Sequence, residues 1–373
     1  MRRGSVVYIE GAHDGAIVRK MTDLANRIYL DHAATTPLLP AAREAMGEAL
    51  AHWANPSSPH AEGRAARAAL EDARARIKAA LGWDHALIFT SGASEALALA
   101  LTRAKVVRRL VSAVEHDALF RAAPDAERLP VGTDGLVILP EAVGDALVAV
   151  QAVNNETGVI QPLDALAPRL RDTGALLLAD CAQSAGKLAL PDADFIALSA
   201  HKLGGPPGIG ALLVRDLALL EPIGGQEQGY RMGTENLPAA IAFAVAVEDR
   251  RGWLARAAEL RDHLERALVA GGGEVVAAGS PRLPTIGAYR MPGVAAASQL
   301  IQFDLAGIAV SAGSACSSGS VKPSHVLAAM GWGEAEAREA IRVSFGAGTT
   351  RADIYAFVTI WTRLAEEARR RAA

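Results

Sequence analysis

From residue 86 onward, short apolar runs recur along the chain and alternate with helix-like stretches. The runs are ALIFT (86–90), RLVSAV (109–114), ALVAVQAV (146–153), ALLLADC (175–181), FIALSA (195–200) and IGALLV (209–214). Nearly continuous hydrophobicity is typical of strands that are buried on both faces of a parallel sheet. An apolar fraction of 51% in 373 residues is ample for a sizeable core. The sequence therefore predicts an α/β fold with a mostly parallel sheet.

The order of these elements predicts two domains. A large domain over residues 28–245 is expected to begin with helices over about 40–52 and about 61–81. A single long helix from about 236 to about 269 is expected to lead into a smaller domain over residues 246–373. Short strands and a terminal helix are predicted for this smaller domain.

The N-terminal segment, residues 1–27, is expected to be poorly ordered. It lacks the apolar core of a signal peptide, and it carries acidic residues that a transit peptide avoids. Met21 is a plausible native start, and the first twenty residues are then extraneous. Mass spectrometry of the protein from its native source tests this hypothesis.

Charge and cysteine content exclude several classes of partner. The net charge is −3 and the basic residues are not clustered, so neither nucleic acid nor an anionic membrane is expected as a partner. Two cysteines in a chain of this length indicate a reducing compartment. No apolar run reaches the roughly 18 residues that span a bilayer. A cytoplasmic protein is expected, and no metal site is predicted.

The stretch SAHKLGGPPGIG (199–210) places Lys202 at the end of a buried strand, in a turn rich in glycine and proline. Partial desolvation at such a position lowers the pKa of a lysine, as a lysine that forms an imine requires. By itself, the pattern fits a surface lysine on a loop between a strand and a helix better than a catalytic lysine.

Other polar residues also follow predicted strands, where ligands of open α/β sheets bind. A helix begins after ALIFT, at Ser91, Gly92 and Ser94. Hydroxyl and backbone N–H groups at the start of a helix suit a phosphate, but serine and glycine are also common helix caps. His116 and Asn155 follow the next two strands, and ordinary loop roles remain open for both.

Asp180 ends an apolar run, so its carboxylate is expected to be largely buried and to need a cation or a strong hydrogen-bond donor. An aspartate beside a strand-end lysine is the pair that pyridoxal phosphate uses, because the aspartate keeps the pyridine nitrogen protonated while the lysine carries the aldehyde. A simple salt bridge between Asp180 and Lys202 remains the alternative.

Three further residues are candidates for binding. Arg231 and Thr234 lie in the glycine-rich loop GGQEQGYRMGTEN (224–236), which either approaches a phosphate or a second subunit or is a plain connector. Arg342, in AIRVSFG, has the planar fork that binds a carboxylate.

The two cysteines have different settings. Cys316 lies in SAGSACSSGSVKPS (311–324), a polar run of small residues, and is a candidate reactive thiol, although an unimportant surface cysteine fits the local pattern equally well. Cys181 follows an apolar strand and is expected to contribute packing.

Taken together, these motifs resemble the cysteine desulfurases of the class V aminotransferase group. The resemblance runs from about residue 28 to about 365 and rests on nine motifs in the family's order: YLDHAATTP, FTSGASEA, EHDAL, VNNETGVIQP, ADCAQSAGK, SAHKLGGPPGIGAL, GGQEQGYRMGTEN, GSACSSGSVKPSHVL and IRVSFG. It implies a pyridoxal-phosphate-dependent transferase of fold type I. Such a fold has a mostly parallel sheet of the seven-stranded type in a large domain and a smaller α+β C-terminal domain.

The resemblance also implies roles for individual residues. Lys202 matches the lysine that binds pyridoxal 5'-phosphate, Asp180 the partner of its pyridine nitrogen, and His116 the ring that stacks on the cofactor and helps proton transfer. Cofactor contacts are implied for a further set of residues: Ala93, Ser94, Asn155, Gln183, Ser199, His201 and Thr234.

The family's substrate and partners are implied in the same way. Asn155 and Arg342 match the residues that hold the carboxylate of L-cysteine, and Cys316 matches the cysteine that forms the persulfide, in a mobile loop (about 311–324) like that of the long-loop subgroup. A homodimer is implied, with Thr234 reaching the other subunit's cofactor. Alanine is the co-product, and a protein of iron–sulfur cluster assembly or tRNA thiolation accepts the sulfur.

Two alternative functions follow from the same residues. A selenocysteine lyase or another class V pyridoxal enzyme does not need Cys316, so replacement of that residue with serine separates it from a desulfurase. A non-catalytic adaptor with this fold is the other alternative. It is disfavoured because Lys202, Asp180, His116 and Cys316 occur together.

Overall fold

The computed structural model describes residues 27–52, 54–249, 252–313 and 323–372. Its strands are β1 Ile28–Tyr29, β2 Ala86–Thr90, β3 Arg108–Ser112, β4 Glu127–Leu129, β5 Ala146–Gln151, β6 Leu176–Asp180, β7 Phe195–Ser199, β8 Gly210–Val214, β9 Glu274–Val275, β10 Ile286–Arg290, β11 Ile308–Ala309, β12 Ser311–Ala312 and β13 Ala340–Ser344.

The α-helices are α1 Pro40–Ala51, α2 Ala61–Leu81, α3 Ala93–Arg103, α4 Asp117–Ala122, α5 Leu163–Asp172, α6 Leu237–Glu248, α7 Leu254–Ala270, α8 Ala296–Leu305, α9 His325–Ala329, α10 Glu334–Ala337 and α11 Arg351–Ala372. Short 3₁₀ turns occur at Ala200–Lys202, Leu217–Leu219 and Glu227–Gly229. The first two helices begin and end close to the predicted residues.

The main sheet has seven strands in the order β2-β8-β7-β6-β5-β3-β4. Strand β8 runs antiparallel to both of its neighbours, and the remaining pairs are parallel. All residues of β5, β7 and β8 are buried, because helices cover both faces of the sheet. The predicted mostly parallel α/β sheet is therefore confirmed.

A second sheet has four antiparallel strands in the order β12-β13-β10-β9. It packs with α7, α8 and α11 in a core of its own that includes Leu264, Phe303, Phe357 and Trp361. The four-stranded sheet falls within residues 246–373 and the seven-stranded sheet within residues 28–245, but the division into two domains itself stays a prediction.

The single long helix predicted over about 236–269 is wrong. Helix α6 ends at Glu248, the next residue is non-helical, and α7 begins at Leu254. The two helices serve different cores, because Phe243 of α6 packs under the main sheet whereas Leu260 of α7 packs against the second sheet. Among the described residues, no helix combines the length and the apolar character needed to cross a bilayer.

Candidate active site

A cavity of about 560 Å³ lies at the edge of the main sheet where the parallel strands end. Ten of the twelve predicted site residues line it: Ala93, Ser94, His116, Asn155, Asp180, Gln183, Ser199, His201, Lys202 and Arg342. They converge because parallel strands place the residues that follow them at one edge. The volume is in the range of sites that hold small molecules.

Lys202 follows β7 in a single 3₁₀ turn, so its side chain is delivered from the strand end into the cavity. Its Nζ donates hydrogen bonds to the carbonyl oxygens of Ala33 and, at 2.9 Å, of Ala34. Both acceptors belong to the segment that follows β1. The amine is therefore oriented by backbone that is distant in sequence and could not be identified from the local motif.

Asp180 is buried in the wall of the cavity, at the end of β6. One carboxylate oxygen accepts a hydrogen bond from the backbone N–H of Ala182 at 2.8 Å. Burial raises the pKa of this carboxyl, and the nearby His116 and Lys202 act in the opposite direction. The predicted burial of Asp180 is observed, and both a hydrogen-bond donor, the Ala182 N–H, and a cation, Lys202, lie near its carboxylate.

His116 precedes α4 and caps it, because its Nδ1 accepts a hydrogen bond from Ala118 N–H at 3.2 Å. In a neutral ring the proton then resides on Nε2. Burial lowers the pKa of His116, and the charge of Lys202 lowers it further while Asp180 opposes the shift. Geometry and electrostatics thus agree on a neutral imidazole.

The start of α3 forms the anion-binding end of the cavity. Ala93 and Ser94 are its first two residues and Gly92 is its N-cap, so unpaired backbone N–H groups and the positive end of the helix dipole meet there. A Cβ at Gly210 would lie 2.4 Å from Leu198 O and 2.6 Å from Gly92 Cα. Only glycine at position 210 lets this turn pack so closely against the sheet.

A buried ion pair supports the strand that leads into this turn. Glu227, 4% exposed, accepts hydrogen bonds from Phe89 N–H at 2.9 Å and from the Arg74 guanidinium at 2.7 and 2.8 Å. Arg231 donates to Phe89 O at 3.0 Å. The loop 224–236 therefore braces β2 in this chain through Glu227 and Arg231.

Arg342 enters the cavity from β13 of the second sheet. Its two terminal nitrogens donate to Asn155 O at 3.0 Å and to Asp31 Oδ1 at 2.7 Å. A guanidinium has five N–H donors, so these bonds leave one donor on each terminal nitrogen. The group is held in place and still has the donors to bind a carboxylate.

Of the two remaining predicted residues, one lies away from the cavity and the other lies outside the described residues. Thr234 is exposed and is not among the lining residues. Cys316 lies outside the described residues, as does the predicted N-terminal segment up to residue 26. Cys181 is fully buried in the core and burial raises its pKa to about 12, which agrees with its predicted packing role.

Two acidic residues near the cavity were not predicted from the sequence. Asp31, in YLDHAATTP, is the partner of Arg342. Glu115 is completely buried, accepts from Gln151 N–H at 2.7 Å, and has a pKa raised well above its usual range by burial and by Asp180. The charged residue in each motif indicated a possible site residue. The partner of each, Arg342 for Asp31 and the Gln151 N–H for Glu115, could be found only in the three-dimensional structure.

The family model of the class-V aminotransferases matches residues 28–357. A cysteine desulfurase from Gluconacetobacter diazotrophicus is 37% identical, over 88% of this chain and 91% of the relative. A NifS-like protein from Rickettsia africae has a TM-score of 0.82 at 31% identity, covering 91% of this chain and all of that one. The protein SspA, solved in complex with cysteine, has a TM-score of 0.72 at 29% identity, covering 85% and 98%.

The fold and the cavity define a pyridoxal-phosphate-dependent enzyme of fold type I. The residues present fit this cofactor, because the cavity offers a lysine, a buried carboxylate and a helix N-terminus, which match an aldehyde, a pyridine nitrogen and a phosphate. The chain belongs to the class-V aminotransferase family and, within it, to the cysteine desulfurases. Among the described residues, no group of His, Cys, Asp or Glu is placed to hold a metal ion.

Proposed function

We propose that this cysteine desulfurase converts L-cysteine and the Cys316 thiol to L-alanine and a Cys316 persulfide. The reaction balances without a further reactant, because the Cβ–S bond of the substrate breaks and an S–S bond forms. The Cβ carbon is reduced to a methyl group, and the sulfur is oxidised to the persulfide level. One observation carries the proposal: Lys202, Asp180, His116 and Arg342 line a single cavity.

Each residue has a role that suits its position. Arg342 and Asn155 bind the substrate carboxylate and orient the amino acid, and Lys202 binds the cofactor covalently and later takes the Cα proton. When bound, pyridoxal phosphate supplies an electron sink for negative charge at the substrate Cα. The buried carboxylate of Asp180 holds a proton on the pyridine nitrogen. The neutral imidazole of His116 would hold the cofactor ring, and its Nε2 would be the atom that passes a proton.

The phosphate is proposed to bind where α3 begins. Ala93 and Ser94 provide backbone N–H groups, Ser94 and Ser199 provide hydroxyls, and His201 provides a ring N–H. Gln183, whose amide donates to Ala33 O at 2.9 Å, is proposed to lie near the phenolic oxygen of the cofactor. Burial and the charge of Lys202 lower the pKa of His201 to about 4.

Chain length supports the role of Cys316. Ser311 lines the cavity and precedes Cys316 by five residues. Five residues of extended chain span at most about 18 Å. The connection therefore permits the thiol to reach the substrate sulfur and also to withdraw from it.

The partners proposed for the enzyme are a second copy of the chain and a sulfur acceptor. Thr234 is exposed, as expected of a residue that contacts the cofactor of the other subunit in a homodimer. The acceptor is proposed to be a scaffold for iron–sulfur clusters or a relay protein for tRNA thiolation, in the cytoplasm.

Incubation of the purified holoenzyme with L-cysteine tests the proposal. Wild type should release alanine and gain one sulfur on Cys316, both detected by mass spectrometry. The K202A variant should do neither and should lack a cofactor absorbance band that borohydride bleaches. The C316S variant should keep that band but form no persulfide. Alanine release by C316S at the wild-type rate would contradict the assigned role of Cys316.

A further inference from the structure

Glu156 is a buried carboxyl group next in sequence to Asn155, which lines the cavity, and the steps proposed above do not use Glu156. It is 3% exposed and follows β5 in a turn fixed by Asn154, whose Oδ1 accepts from the N–H groups of Glu156 at 2.9 Å and Thr157 at 2.8 Å. Asn154 Nδ2 in turn donates to Val114 O at 3.0 Å. The main sheet therefore determines where this carboxyl group lies.

The carboxyl group contacts both ends of the segment that carries Cys316. Ser324, which caps α9, donates a hydrogen bond from Oγ to Glu156 Oε2 at 2.5 Å. Gly313, which follows β12, lies so close that a Cβ there would be 2.2 Å from the same oxygen. That Cβ would also be 3.5 Å from the Cβ of Ser324. Residues 313 and 324 thus meet at one carboxylate oxygen, with Cys316 between them in sequence.

The contact is specific rather than general packing. Because Gly313 has no side chain, its backbone can approach the Glu156 carboxylate closely, and any larger residue would clash with it. Ser324 is itself 4% exposed, and its hydroxyl both accepts from Leu327 N–H at 3.1 Å and donates to Glu156. One hydroxyl therefore links the cap of α9 to the strand-end turn.

We propose that Glu156 is a positioning residue for sulfur transfer. By holding Gly313 and Ser324 together against the main sheet, it determines where the segment bearing Cys316 leaves and rejoins the fold, and hence how that thiol reaches the cavity. The inference deepens the proposed function and rests on it, since it concerns the same thiol. Misplacement of a reacting group by about 1 Å is enough to slow a reaction about 100-fold.

The test is a single-turnover reaction of the holoenzyme with L-cysteine that follows two signals. One is the cofactor absorbance change on addition of L-cysteine, which reports events at Lys202. The other is the rate of persulfide formation at Cys316, measured by quenching, alkylation and mass spectrometry. E156A should slow persulfide formation by about 10-fold to 100-fold and leave the absorbance change within about twofold of wild type. E156Q, whose amide oxygen still accepts from Ser324, should restore most of the rate.

A second pair of variants tests the contact itself. G313A alone should slow persulfide formation, because its new Cβ meets the Glu156 oxygen. The double variant G313A/E156A should be as slow as E156A and no slower, because the new Cβ adds no further cost once the opposing carboxylate has been removed. E265A is the matched control, since Glu265 accepts a hydrogen bond from Arg282 at 2.7 Å and neither residue lines the cavity. It should lower the unfolding temperature without changing the persulfide rate.

Three results overturn the inference: an unchanged persulfide rate in E156A, an equal slowing of both signals, or a slowing in the double variant equal to the product of the slowing in the two single variants. If E156A does not yield folded holoenzyme, S324A is compared with wild type by the same two signals and the same criteria. Absence of a Cys316 persulfide in wild type refutes the proposed function as well. The two failures are distinguishable, because failure of the proposed function is seen in wild type, whereas failure of the inference alone is seen only in the variants.

Discussion

Replacement of Arg342 by lysine keeps the positive charge in the cavity but removes the planar fork. In the structure, the two terminal nitrogens of Arg342 point to different acceptors, Asn155 O at 3.0 Å and Asp31 Oδ1 at 2.7 Å. A single ammonium group cannot keep both of these contacts and also offer two parallel donors to a substrate carboxylate. At least one charge-assisted hydrogen bond to the substrate is lost.

A hydrogen bond to a charged group contributes about 1.5–3 kcal/mol. Because about 1.4 kcal/mol corresponds to a factor of ten, kcat/KM for L-cysteine should fall about 10-fold to 100-fold in R342K. Alanine formation over a range of cysteine concentrations measures this value. Titration with cysteamine, which lacks the carboxylate, should give the same cofactor absorbance response in wild type and variant.

The matched control is R282K, a buried arginine with its own carboxylate partner, Glu265, outside the cavity. It should lose stability and keep its kcat/KM. If R342K retains kcat/KM within about twofold of wild type, the role assigned to Arg342 is refuted. It is also refuted if cysteamine binding is weakened as much as cysteine turnover, because the loss then does not depend on the carboxylate.

Three further outcomes are expected. Burial and the nearby Lys187 lower the pKa of His32 to about 4. As the pH falls, His32 is therefore protonated in the unfolded chain before it is protonated in the folded protein. Up to about 3 kcal/mol of stability is lost between about pH 6.5 and about pH 4. Urea unfolding at pH 7 and pH 4.5 should show a smaller loss in H32N. G210A should destabilise the protein by about 1–3 kcal/mol and weaken cofactor binding, whereas G225A, with open space at its Cβ, should do neither. E227Q should cost about 3–5 kcal/mol in urea unfolding and E71Q, at the exposed end of the same ion-pair network, less than about 1 kcal/mol. Equal effects of G210A and G225A, or of E227Q and E71Q, would contradict the roles assigned to Gly210 and Glu227.

Much of the main sheet could be predicted because its signal is local. Each buried strand is a short run of apolar residues, and the run ALIFT matches β2 residue for residue. Two of the four strands of the second sheet, β9 and β12, have only two residues each. The apolar run GIAVS (307–311) is divided between β11 and β12. The single helix predicted over about 236–269 was wrong, because helical periodicity alone does not reveal that Phe243 and Leu260 pack into different cores.

The candidate site followed the same division. Lys202, Asp180 and His116 could be selected because each follows a strand, and parallel strands bring such residues to one edge. Their partners could not be selected. The carbonyls that orient Lys202 lie about 170 residues earlier, and Asp31 is 311 positions from Arg342. The burial that shifts the pKa values of Glu115 and Glu156 depends on neighbours from several elements.

The amino-acid sequence alone determined which residues are strands, which polar side chains end them, and which family the chain resembles, because these properties are encoded by neighbours along the chain. Only the tertiary structure decided the partners of the polar side chains at the site: Asp31 beside Arg342, the Gln151 N–H beside Glu115, and Glu156 between Gly313 and Ser324. Hydrogen bonds and desolvation act over a few ångströms in space and are indifferent to distance along the chain, so these contacts exist only after the sheets have packed together.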